Sequence, residues 1–161
     1  MNLIKTINTQ LASDIGLTII RADQTGPIPA LPYATYKVIG DRKGFGRYTT
    51  DYSDEKSALV EKNNQTRNAT ISFNVYGTSH DNAYEVAQQL RKWFDMRGSL
   101  FMDEINVAPI SIEEVSNRTI FLTDSYDERW GFDVIICYQD SDELEIDYFN
   151  KVESEIIIER E

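Results

Sequence analysis

From its first residues the chain carries an apolar stripe at helical spacing. Leu3, Ile4, Ile7, Leu11 and Ile15 recur every turn, while Lys5, Asn8, Thr9 and Ser13 lie off that face. The spacing predicts a helix that starts at Asn2 as cap and ends at Gly16. LTIIRA then predicts a short strand, and QTGPIPALP, with three of the four prolines, predicts a loop. In YATYKVIG, Tyr33, Thr35, Lys37 and Ile39 alternate with Ala34, Tyr36 and Val38, as a strand requires. DRKGFGRYTT is expected to be a glycine-bearing turn or loop. The polar stretch from DYSDEK to NNQTRN carries few signals of order.

RNATISFNVYG alternates most cleanly. Ile71, Phe73 and Val75 face one way and Thr70, Ser72, Asn74 and Tyr76 the other, the pattern of a half-buried antiparallel strand. Ala83, Val86, Ala87, Leu90, Trp93 and Phe94 then follow a helical period to Gly98, with Ser79 or Asp81 as cap. SLFMDEINV and PISIEEV read as strands. NRTIFLTDSYDERWGFDVIICY reads as two strand-like runs around an acidic, aromatic turn, and SEIIIE as a last strand. Helix, strands, helix, strands without βαβ alternation predicts one α+β domain over residues 1–161: a mostly antiparallel twisted sheet with two helices on one face.

Composition narrows the function classes. Hydrophobic residues make up 41% of 161, enough for a core, and no apolar run reaches the roughly 20 residues a membrane helix needs. MNLIKTINTQ has no apolar h-region, so a soluble intracellular product without membrane contact is expected. Twenty-seven acidic residues against 16 basic give a net charge of −11. A protein gripping DNA phosphates shows the reverse balance, so sequence-specific nucleic-acid binding is disfavoured, whereas a surface that lets DNA slide past is not.

Candidate chemistry is sparse. Cys137 lies in an apolar run and reads as a small buried hydrophobe, and the single histidine, His80, gives a Cys/His pair little support. Zinc fails on ligand count. DRKGFGRYTT fits neither phosphate-loop pattern. DSDELEID has Glu145 where an EF-hand loop needs glycine, so its carboxylates read as a solvated face. Asp124, Asp133 and Asp147 would assemble a two-metal hydrolase site only if folding gathered them. The sequons at Asn68 and Asn117 mean nothing without a secretory route. No catalytic residue, cofactor or metal is expected.

One strand asks for more than a two-layer domain supplies. In GFDVIICY, Trp130, Phe132, Val134, Ile136 and Tyr138 form an apolar face, and Ile135 and Cys137 extend apolar character to the other. Such a strand is covered on both sides, by more of this chain or by a neighbouring subunit. The turn before it gathers Tyr126, Asp127, Glu128, Arg129 and Trp130, a composition common at interfaces. These five are the candidate interface residues.

LPYATYKVIG, TISFNVYG before a helix ending in LRKWF, and NRTIFLTDSYDERWGFDVIICY together resemble the bacteriophage neck or tail terminator proteins. The likeness spans about residues 30 to 150, apart from 41–66. It implies a structural virion protein: an α+β subunit forming a ring, commonly a hexamer, on the head-proximal end of the tail tube. Such a ring ends tube polymerisation and offers a surface to the head-completion or connector protein, while DNA passes through its lumen. It implies assembly in the host bacterial cytoplasm and residence in the virion neck. Another phage or injection-system adaptor, a head-closure or baseplate component, is the alternative.

Overall fold

The computed structural model describes residues 2–55, 58–123 and 126–146. Helix α1 (Asn2–Ile15) turns Ile4, Ile7 and Leu11 into the core, and Gly16 ends it at φ 70°. Strand β1 (Thr18–Arg21) follows, and then β2 (Tyr33–Glu55) and β3 (Ala58–Tyr76). Helix α2 (His80–Lys92) is capped by Ser79, whose Oγ accepts from the Asn82 amide at 3.2 Å. A π turn (Trp93–Arg97) leads into α3 (Ser99–Glu104). Strand β4 (Val107–Ile112), the two-residue strands β5 (Ser116–Asn117), β6 (Ile120–Phe121) and β7 (Tyr126–Asp127), and the long β8 (Arg129–Ile146) complete the described chain.

The main sheet runs in the order β1-β2-β3-β8-β4, with β5 beside β8. Among the described residues β1 and β2 pair parallel and the other pairs are antiparallel. The core draws on one face of this sheet. Ala69, Ile71, Phe73 and Val75 of β3 and Phe132, Val134 and Ile136 of β8 are buried beneath α1, α2 and the π turn. Phe73 and Phe132 stack at 5.4 Å, and Phe94 meets them at 5.5 and 6.4 Å. The π turn buries the consecutive Trp93 and Phe94 together, and the Trp93 indole N–H donates to Asp14 Oδ2 at 2.7 Å, tying α1 to the turn.

Three expectations change. SLFMDE is helix α3, not strand, so the sheet carries three helices instead of two. Met102 faces the core while Leu100 is exposed, and the preceding π turn delivers the chain already coiled. DRKGFGRYTT is not a turn, nor is the polar stretch after it irregular. β2 and β3 stay paired out to Glu55 and Ala58, and β8 accompanies β3 as far as Leu59 with Ile146. The result is a three-stranded arm reaching about 30 Å beyond the core at ~3.3 Å per residue.

Among the described side chains of the arm polar residues predominate on both faces, which is why alternation does not reveal it. Thr50 donates to Asn63, Asn64 to Asp51, Arg67 pairs with Asp140 at 2.6 Å and Lys62 with Glu143 at 3.2 Å. Backbone ladders and cross-strand polar pairs take the place of burial. The acidic DSDELE run is thus the outer part of β8, with Asp142 and Glu143 exposed as a solvated face requires. SEIIIE and Asp147 lie outside the described residues.

This division predicts uneven stability. Phe132→Ala should lower unfolding free energy by about 3–5 kcal/mol in urea titration. Hydrogen exchange should protect the amides of residues 69–75 more strongly than those of 59–67, since the former sit over packed core.

Candidate functional site

The turn singled out in the sequence is the end of a small hairpin beside the start of β8. Ile120 pairs with Asp127 and Phe121 with Tyr126. Asn117, Arg118 and Thr119 fasten this hairpin to the sheet, each by a different contact. Asn117 Oδ1 accepts the Thr119 amide at 2.8 Å, closing a local turn. The Arg118 amide donates to Arg129 O at 2.9 Å, and Arg129 Nε returns a bond to Arg118 O at 2.6 Å. Thr119 Oγ1 accepts from the Arg129 amide at 3.2 Å.

The Arg118 side chain crosses the sheet face away from the helices. Nη2 donates to Asp133 Oδ1 at 2.9 Å and Nη1 to Ser72 Oγ at 2.8 Å; the Ser72 hydroxyl in turn donates to Asp133 at 2.6 Å. Nη1 also reaches Asn74 Oδ1 at 3.3 Å. Gly131 makes the crossing possible. A Cβ there would lie 2.4 Å from Phe73 O and 2.9 Å from Arg118 Cδ. Beyond this network Tyr33 and Tyr76 stack at 4.8 Å. Burial raises the Tyr33 phenol above its ordinary pKa, with Tyr76 and then Asp127 adding to the effect.

The five candidate residues divide by environment. Tyr126 is 66% exposed and leans on Phe121, itself 64% exposed, at 5.0 Å. Ile120 and Leu122 are exposed beside them, so the tip presents an apolar patch. Asp127, Glu128, Arg129 and Trp130 are half-buried and engaged within the subunit. Glu128 meets His80 Nδ1 at 2.9 Å, and Asp127 lies 4.0 Å from Arg129. Trp130 packs edge-on against His80 and Tyr84 of α2 at 5.0 and 4.9 Å.

Of the carboxylates posited for metal chemistry, one falls among the described residues. Asp133 is held by Arg118 and Ser72, while Asp124 and Asp147 lie outside the described residues. Among the described residues no group of three His, Cys, Asp or Glu side chains is placed to hold an ion. Cys137 is half-buried on the far face, whereas His80 packs on Trp130 on the helix face, about 23 Å away along β8 at ~3.3 Å per residue. That separation removes the Cys/His pair. Among the described residues no helix is long and apolar enough to cross a membrane.

The hairpin thus exposes Ile120, Phe121, Leu122 and Tyr126 together, while polar bonds fasten its base to the sheet. Comparison with protein families matches residues 1–161 to the phage neck terminator proteins. The chain belongs to this family. Comparison with curated proteins gives no match. Neck terminators are structural proteins of the virion, which agrees with the resemblance carried by the NRT and GFDV blocks. Two residues important to the hairpin escaped the sequence reading. Arg118 looked like the middle of a sequon, and Phe121 like the inside of a strand. The signal for Phe121 was the short apolar run Ile120, Phe121 and Leu122 directly before a polar turn, and Arg118 had none.

Arg118→Ala should cost about 1–3 kcal/mol by leaving Asp133 without its cation in a half-buried site. Gly131→Ala should cost a similar amount by overpacking, read as a lower thermal midpoint, because the Phe73 carbonyl belongs to a backbone ladder and cannot swing away.

Proposed function

We propose that this chain forms a ring, a hexamer, on the head-proximal end of the phage tail tube. The ring ends tube polymerisation and offers the surface on which the head-completion or connector protein docks. Family membership over the whole chain carries this reading. DNA passes through the lumen without sequence-specific contact, in keeping with a net charge of −11. The turn of Tyr126, Asp127, Glu128, Arg129 and Trp130 is the contact element. Tyr126 meets the partner, and the other four hold it in place.

The arm supports a position beside water or a hydrated channel instead of a dry interface, because polar and charged side chains predominate among its described residues. Carboxylates on an aqueous channel wall repel the phosphate backbone and keep it from sticking. Capping needs neither cofactor nor metal, since it is an association reaction. Assembly takes place in the host bacterial cytoplasm, and the product stays in the neck of the virion.

Electron microscopy of particles made without the protein tests the assignment. Overlong, unconnected tubes are the expected result. Tubes of normal length that fail to join heads would instead assign the protein to head closure.

A further inference from the structure

The apolar tip has a counterpart on the opposite flank of the same subunit. A cleft of about 550 Å³ opens between α1 and the β1–β2 edge, walled by Ile4, Ala12, Ile19, Tyr36 and Val38. Arg118 fastens the hairpin to the sheet face away from the helices, whereas the cleft opens on the helix face, between α1 and the β1–β2 edge. Knob and recess therefore face away from each other across the sheet. In a subunit of that form, one contact repeated head to tail joins unlike surfaces and closes a ring if the rotation allows.

Charge and hydrogen bonding agree on the occupant. In a chain of net charge −11, the described lining of the cleft holds Lys5 and Arg21 and no acidic residue. Among the described residues of the hairpin, 120–123, 126 and 127, the charge is the single carboxylate of Asp127. Asn8 also lines the cleft. It is only 5% exposed, and its Nδ2 donates to Ile4 O at 2.7 Å. Its Oδ1 has no partner among the described residues. A buried amide oxygen calls for a donor, and the phenol of Tyr126 brings one together with an aromatic ring.

We infer that the hairpin tip of one subunit, led by Phe121 and Tyr126, seats in the α1–β2 cleft of the next copy of this chain. The inference rests on the ring reading above and names the contact that closes the ring.

Three variants that keep the core intact test it. The tip variant combines Phe121→Ser with Tyr126→Ser. The cleft variant is Thr9→Trp, on an exposed position of α1 that lines the recess, with Arg21→Glu as a second cleft variant. Thermal midpoints matching the wild type verify folding, and light scattering reads native mass with and without purified tail tubes. The expected result is loss of the oligomer for each variant alone. An equimolar mixture of tip and cleft variants should form a one-to-one dimer and go no further, because only one productive contact survives. Wild type that stays monomeric even with tubes overturns the ring reading itself. Wild type that assembles while the mixture stays monomeric overturns the seating alone. A tip variant that assembles like wild type also overturns the seating, and assigns the tip to another virion protein or to the subunit's own C-terminal segment.

Discussion

The pairing of β3 with β8 sets the position of nearly everything else. Their register holds without interruption from Tyr76 with Arg129 to Leu59 with Ile146. Because side chains alternate, a constant register keeps Phe73 beside Phe132 and Ile71 beside Val134 on the helix face. The same ladder puts Ser72 beside Asp133 on the other face, where Arg118 can join them. A slip of one residue would turn the aromatic cluster toward water and put the carboxylate under the helices. Core and hairpin anchor thus depend on one alignment, and that alignment continues past the core to form the arm.

What could be read from residues alone follows from where burial supplies a period. α1, α2 and the inner halves of β2, β3 and β8 each turn one apolar face to the core, and their patterns predict them. In the outer halves polar side chains predominate on both faces among the described residues. There the strand signal lies in Tyr48, Thr49, Thr50 and Tyr52, residue types that suit a pleated backbone but mark no inside or outside. Glycines at 44 and 46 pulled the reading toward a turn, whereas a continuous strand runs through them with register shifts on either side. α3 was missed for another reason: SLFMDE is too short for helical periodicity to outweigh its apolar content.

The candidate site was legible in its location more than in its division of labour. An acidic aromatic turn before a doubly apolar strand pointed to contact. The doubly apolar reading itself holds in part, since Ile135 and Cys137 are half-buried beside a polar network instead of extending a second core. Which residues face outward depends on bonds between positions far apart in sequence, such as His80 with Glu128 and Ser72 with Arg118. No local pattern encodes those. Trp130, the most prominent residue of the turn, serves α2, and the less conspicuous Phe121 shares the exposed end with Tyr126.

The mismatch in length between the first two strands of the arm bears on how the protein survives before assembly. The 23 residues of β2 run beside 19 of β3, with the surplus taken up at irregularities near Val38, Gly40 and Phe45. A flat strand edge of that length invites sheet-to-sheet stacking into fibres, and local kinks spoil the template by tilting successive amides out of line. The proposed role of ending a polymer would fail in a subunit that itself polymerised. The surplus residues add no length to the arm; they withhold the straight border along which copies would zip together.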